Sequence, residues 1–152
     1  MKVRIEIVPD GEEEIIIKCK CMDDKTELAR NIIDNLLGAQ GELLLYIGNT
    51  EHYIKKEDIL FFESSDGKVF AHTADKMLRT DYKLFELEDI MPSYFVRISK
   101  SAIANVKLIS SLSRELTGNG VLTFKGSNKQ AYFSRAYHRQ LKDKIEEVRF
   151  SR

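Results

Sequence analysis

Residues 94–106, Tyr-Phe-Val-Arg-Ile-Ser-Lys-Ser-Ala-Ile-Ala-Asn-Val, decide how this chain is read. Tyr94, Phe95, Val96, Ile98, Ile103 and Val106 make the stretch apolar enough to sit in a core. Arg97, Ser99, Lys100, Ser101 and Asn105 put charge and hydrogen-bonding groups into the same run. An ordinary buried strand has no use for a basic, hydroxyl-rich knuckle held between apolar flanks, so the knuckle calls for a separate explanation.

On either side of it the texture is that of a β protein. From Glu42 onward short apolar runs follow at close spacing: LLLYIG, HYIK, ILFFES and KVFAHT before the knuckle, then KLISSLS, VLTFK and QAYFS after it. Turn formers separate them, with SerSerAspGly at 64–67, GlyAsnGly at 118–120 and GlySerAsn at 126–128. Many short strands at even spacing predict an antiparallel sandwich or barrel-like fold. LFELEDIMP at 84–92 reads as a short helix ended by Pro92. The tail from Ser134 reads as a helix with Tyr137, Leu141, Ile145 and Val148 on one side.

Ahead of residue 42 the pattern differs. Residues 2–8 alternate Val3, Ile5 and Ile7 with Lys2, Arg4 and Glu6, ProAspGly at 9–11 signals a turn, and residues 14–20 read as a second strand. That is the pattern of a β-hairpin. Asp23 or Asp24 caps a helix running to about Leu37, with Gly38 as its stop. Leu28, Ile32, Ile33, Leu36 and Leu37 share a face that should lie on the hairpin. Two units are therefore expected: a β-β-α segment over 1–41 and a β domain over 42–152. About forty residues are few for an independent core, so the first unit reads as an annex or dimerisation element.

The totals narrow the function classes. No apolar run reaches the length of a membrane span, and the amino terminus lacks the features of a signal peptide. A cytoplasmic location is expected. Cys19 and Cys21 are two apart, share one face of a strand and read as small hydrophobes. His52, His72 and His138 are scattered without ligand spacing, so neither a metal nor a cofactor is expected. Ser99 and Lys100 make no nucleophile–base pair, because neighbouring strand residues point to opposite faces. With no converging His–carboxylate, Cys–His or Gly-rich constellation, the chain reads as no enzyme and as having no small-molecule substrate. The formal net charge of zero hides an asymmetry. Residues 1–96 carry 12 Lys and Arg against 20 Asp and Glu, whereas residues 97–152 carry 12 against 4. A basic portion of this kind is one sign of a polyanion-binding surface.

DILFFESSDGKVFAHT, LFELEDI, YFVRISKSAIANVKLI and AYFSRAYHRQLKDKI, in that order and spacing, resemble the LytTR-type DNA-binding domain over roughly residues 42–148. The resemblance implies a mainly β, antiparallel three-sheet fold with short helices that reads duplex DNA from loops, without a recognition helix. The knuckle then has a purpose. Its apolar flanks anchor a rigid strand–turn, and its polar centre is presented to the double helix.

Carried over residue by residue, the family's base-contacting loops fall in three places: the 64–68 turn with Ser65, Asp66 and Lys68; the Ser99-Lys100 pair of the knuckle; and Arg135. Ser101 adds a hydroxyl beside the pair, Arg97 lies two residues from Ser99 on the way to the same surface, and His138 and Arg139 follow close behind Arg135. Arg135 suits a bidentate contact to a guanine edge, and Lys100 with its serines suits phosphate oxygens and groove acceptors. Lys107, Lys125 and Lys129 join Lys68, Lys100, Arg135 and Arg139 as expected phosphate contacts. Ser99 stands where family members often carry His. Asn105 reads as satisfying buried backbone groups, His72 as a half-buried strand residue, and Phe61, Phe62, Phe95, Tyr132 and Phe133 as core aromatics.

What is expected, then, is a bacterial, response-regulator-like transcription regulator that binds double-stranded DNA as a homodimer on repeated half-sites. The usual receiver domain is not expected, since about forty residues cannot form a doubly wound sheet. Stand-alone regulators of this type imply a membrane-protein partner that holds them in check. The competing reading is a protein-interaction β module whose basic part is incidental.

Overall fold

The computed structural model describes residues 4–11, 14–37 and 41–150, and the side chains of these except 34–37. Helix α1 (Asp24–Leu37) precedes β1 (Glu42–Ile47), β2 (Thr50–Lys55), β3 (Phe61–Ser65), β4 (Lys68–His72) and β5 (Met77–Thr80). Then come α2 (Leu84–Ile90), β6 (Phe95–Ser99), β7 (Ala102–Asn105), β8 (Ile109–Arg114), β9 (Gly120–Phe124), β10 (Gln130–Phe133) and α3 (His138–Arg149). All strand pairing is antiparallel. One sheet has the order β2-β1-β5-β4-β3-β7-β6 and the other β10-β9-β8. In the larger sheet β1 meets β5 through the single pair Tyr46 and Arg79. The three-sheet layout thus appears as two sheets, the larger joined at one narrow point.

The run ILFF at 59–62 explains the layering. Strand β3 is buried on both faces, so its apolar residues do not alternate with polar ones. Phe61 enters a core with Val96, Ile98, Leu122, Phe133 and Leu141, between the two sheets and under α3. Phe62 enters a second core with Leu45, Leu78, Leu87, Ile90 and Ile103, under α2. β7 behaves alike: all four of its residues are buried, Ala104 facing the first core and Ile103 the second. Lys56, 1% exposed, lies at the edge of this second layer with its Nζ 3.5 Å from the carbonyl oxygen of Ile90, where α2 ends. Burial pushes that ammonium below its ordinary pKa.

The short helix stands where LFELEDI predicts it, with Pro92 just beyond. The tail forms a 3-10 turn over Arg135–Tyr137 that runs into α3, whose Leu141 and Ile145 are buried. Strands β5 and β7 escape the sequence reading. Tyr132, expected in the core, is 67% exposed on the outer face of β10.

The amino-terminal expectation needs the larger correction. The turn at 9–11 forms, with the Gly11 amide donating to the Val8 carbonyl at 3.1 Å, yet no strand exists among the described residues before β1. Ile5 and Ile7 are 85% exposed and Ile15 and Ile16 are also exposed. A two-stranded hairpin without a surface to cover is marginal at best, and Ile5 and Ile7 have none. Cys19 and Cys21 are exposed rather than packed. α1 forms as expected, capped by Asp23, whose Oδ1 accepts from the Thr26 amide at 2.8 Å and the Thr26 hydroxyl at 2.6 Å. Those bonds hold the Asp23 carboxyl below its ordinary pKa. Ile32 packs against the second core, whereas Leu28 is exposed. The Leu36 and Leu37 side chains and Gly38 lie outside the described residues.

Asn105, 1% exposed, joins the layers through its amide group. Its Nδ2 donates to the Ile59 carbonyl at 3.0 Å and its Oδ1 accepts from the Lys107 amide at 3.0 Å. Asn105→Ala leaves both backbone groups without those partners. The expected loss is about 1–3 kcal/mol, read as a lowered urea midpoint with unchanged slope.

Candidate nucleic-acid interface

Three loops bearing the expected contact residues meet at one end of the domain. The first is the β3–β4 turn. Asp66 (φ 52°) and Gly67 (φ 75°) both have positive φ, the geometry of a tight two-residue hairpin turn matched to strand twist. Asp-Gly is the pair such a turn favours, and Ser65, Asp66 and Lys68 are all exposed around it.

The second loop is the β6–β7 knuckle, tied to the first by the Ser64 amide, which donates to the Ser101 carbonyl at 2.8 Å. Within it the Ser101 amide donates to the Ser99 hydroxyl at 3.2 Å. Arg97 does not point outward. Its Nε donates to the Ser99 carbonyl at 2.7 Å, a second guanidinium N–H donates to the Lys100 carbonyl, and Nη1 lies 3.5 Å from Glu88 Oε2 on α2. The side chain is 17% exposed. Arg97 is therefore a clamp that fixes the knuckle's backbone from behind. Lys100, at the apex, is exposed and its ammonium has no hydrogen-bond or ion-pair partner among the described residues.

The third loop follows β10. The Ser134 amide donates to the Ile98 carbonyl at 3.0 Å, so Arg135 starts beside the knuckle. The Arg135 amide donates to Asn119 Oδ1 at 2.9 Å, and its aliphatic chain lies on Gly118. Gly118 has φ 91°, and a Cβ there would fall 2.6 Å from Arg135 Cγ and Cδ. Arg135 is exposed beyond that contact. His138 is half-buried, its ring stacked on Phe133 at 5.6 Å. Burial, with Arg114 and Lys142 nearby, lowers its pKa, which disfavours the charged ring at neutral pH. Arg139 is exposed beside it.

Sequence reasoning missed Arg114 and the β8–β9 loop at 115–119, which the Asn119 and Gly118 contacts bring to the same end. GlyAsnGly marked the turn, but nothing in the linear order says which neighbour it touches. Three expected phosphate contacts go elsewhere. Lys107 follows the far end of β7 and lies over the Tyr94 ring at 4.3 Å. Lys125 bonds through its amide to Leu108, at the start of β8. Lys129 Nζ is 3.2 Å from His72 Nδ1 and donates to the Lys76 carbonyl at 2.6 Å, at the far end of β4. His72 completes that set through Nε2, 2.6 Å from Glu63 Oε1, and stacks on Phe61 at 4.3 Å. Burial lowers the pKa of both His72 and Lys129. This is a structural network remote from the loops. Among the described residues no group of His, Cys, Asp or Glu is arranged to hold a metal, and no helix is long and apolar enough to cross a membrane.

Comparison with known proteins identifies the family of this fold. Residues 49–146 match the model of the LytTr DNA-binding domain family. A Staphylococcus aureus NCTC 8325 protein named as an uncharacterized HTH-type transcriptional regulator is 30% identical over 146 residues, spanning 95% of this chain and 98% of the relative. One of the same description from strain MRSA252 is 29% identical over 146 residues. A solved structure described as the LytTr DNA-binding domain of a methyl-accepting/DNA response regulator from Bacillus cereus superposes with a TM-score of 0.64 at 18% identity. It covers 69% of this chain and 96% of that one. At that identity the likeness shows the fold. No two described α-helices are consecutive in the chain, so no helix-turn-helix exists among the described residues.

Gly118→Ala tests how Arg135 is held. The strained φ and the collision with Arg135 are expected to cost about 1–3 kcal/mol. Amide chemical-shift changes should concentrate at 115–120 and 134–139. An unshifted spectrum there would show that Gly118 does not seat Arg135.

Proposed function

The chain belongs to the LytTr DNA-binding domain family, and from that premise we propose that it is a transcription regulator gripping duplex DNA sequence-specifically with its β-loops. One observation carries the reading. Two backbone hydrogen bonds, Ser64 to Ser101 and Ser134 to Ile98, join the three loops at which the family resemblance places DNA contacts. Lys68, Lys100, Arg114 and Arg139 then neutralise phosphates and release counterions. Arg135 reads a guanine edge, and Lys100 and the 64–68 turn contribute to the sequence preference. Ser65, Ser99 and Ser101 offer hydroxyls to phosphate oxygens, while Arg97 holds the knuckle in shape. Asp66, at the turn apex, suits an amino group on a base better than a phosphate.

Residues 42–152 form the DNA-binding unit in this reading. Residues 1–41 are the annex through which two copies associate on repeated half-sites, or through which an inhibitory membrane protein acts. Two facts favour a role for it beyond a linker. The relatives match over nearly their whole length, and the annex leaves Ile5, Ile7, Ile15 and Ile16 exposed.

Selection of bound sequences from a random duplex library tests the central claim. The wild-type chain should enrich a defined motif and lose affinity steeply between about 50 and 200 mM salt. Arg135→Ala should cost about 1–3 kcal/mol and relax one base position. Lys100→Ala should lower the salt slope by about one if it binds phosphate. Lys107→Ala and Lys125→Ala, at the far end, should bind as wild type. Absence of an enriched motif, with affinity indifferent to salt, would favour the protein-interaction module instead. For the annex, Ile5→Asp combined with Ile7→Asp should shift sedimentation toward monomer. An unchanged distribution would remove those residues from the interface.

A further inference from the structure

The β8–β9 loop carries a feature that neither phosphate neutralisation nor the three expected loops use. Leu116 at its tip is 109% exposed, the highest value among the exposed large hydrophobics of the described residues. The loop beneath it is held in place: the Gly118 amide donates to the Glu115 carbonyl at 3.0 Å and the Glu115 amide to the Asn119 carbonyl at 2.8 Å. It is also fastened to Arg135 through the Asn119 carboxamide and the contact of Gly118 with the Arg135 stem. Leu116 therefore stands at a set offset from the side chain assigned to a guanine.

We propose that Leu116 is a further specificity-determining residue that packs on the C5-methyl group of a thymine in the groove entered by Arg135. The inference rests on the DNA-binding reading above and deepens it. The chemistry selects this occupant. The thymine methyl is the apolar group that a base pair displays in the major groove, and an aliphatic side chain recognises it by excluding water. Glu115 beside it repels phosphates, which favours a loop directed at base edges over one lying on the backbone. Arg114, the last residue of β8, leads into the loop and is placed for a neighbouring phosphate.

The experiment removes a single methyl group. In the duplex enriched by the full-length wild-type chain, each thymine is replaced in turn by deoxyuridine, which keeps base pairing and deletes only C5-methyl. Affinity is measured for wild type and Leu116→Ala. One position is expected at which uracil costs wild type about fourfold, the size of one buried methyl group, and costs Leu116→Ala nothing. That position should lie within a few base pairs of the one relaxed by Arg135→Ala. No such position, or an equal loss in both proteins, overturns the inference while leaving the DNA reading intact. If instead Arg135→Ala and Lys100→Ala leave affinity and preference unchanged, the DNA interface itself is misplaced and Leu116 falls with it. Leu116 touches no core, so circular dichroism should show Leu116→Ala folded as wild type.

Discussion

The end where the three loops meet depends on the register of β3 and β7, the two strands apolar on both faces. Phe61 and Phe62 lie in opposite cores, and Ile103 and Ala104 repeat that division on the neighbouring strand. A slip of one residue would exchange the two faces and force Glu63 into a phenylalanine site. The register is therefore closely specified. With it fixed, the turns at 66–67 and 100–101 end level, and the Ser64–Ser101 bond follows. The smaller sheet joins this end through the Ser134–Ile98 bond, behind which Phe133 and Ile98 share the first core. The position of the loops is thus a consequence of core packing.

The same antiparallel geometry sorts the charge. Cations close in sequence divide between the two ends of the sheets, because each hairpin returns. Lys68, Lys100, Arg114 and Arg135 fall at the loop end, whereas Lys107, Lys125 and Lys129 fall at the other. Lys100 and Arg135, both exposed, suit a polyanion, while Lys129 is engaged by His72 and a backbone carbonyl. The excess of cations after residue 97 indicated the kind of partner but overstated the surface. Linear charge counts see composition, whereas a double helix meets only the end that faces it.

What could be read from the sequence followed from local rules. Apolar runs bounded by turn formers located eight of the strands, Asp-Gly gave the tight turn, and an aspartate cap at 23 or 24 with helical periodicity gave α1. β7 was missed because AIAN is buried throughout and shows no alternation, and β5 because four residues, MLRT, carry too little pattern. The amino-terminal segment shows the opposite failure. Its period-two alternation is clear, but alternation promises a strand only where one face can be covered, and Ile5 and Ile7 have no cover. In the loop cluster the resemblance singles out Arg135 but not its contacts with Asn119 and Gly118, because the Asn119 contact spans sixteen residues and two strands. Arg97 looked like a reader because its residue type suits one. Only the fold shows that its guanidinium reaches two carbonyls of its own turn.

That clamp also bears on how the amino-terminal part connects to the loops. α1 lies against α2, Ile32 packs on the second core, and Glu88 of α2 faces Arg97, so the contacts are contiguous from annex to knuckle. Their strengths are unequal. The Glu88 carboxylate is 41% exposed and 3.5 Å from the guanidinium, so this ion pair is screened and contributes well under about 1 kcal/mol. The bonds from Arg97 to the Ser99 and Lys100 carbonyls are charge-assisted, about 1.5–3 kcal/mol each, and lie wholly within the hairpin. The knuckle therefore keeps its shape by itself. An influence passing from the annex to the knuckle would have to travel through the packing of Leu87, Ile90 and Ile103, since the ion pair is too weak to reshape the turn.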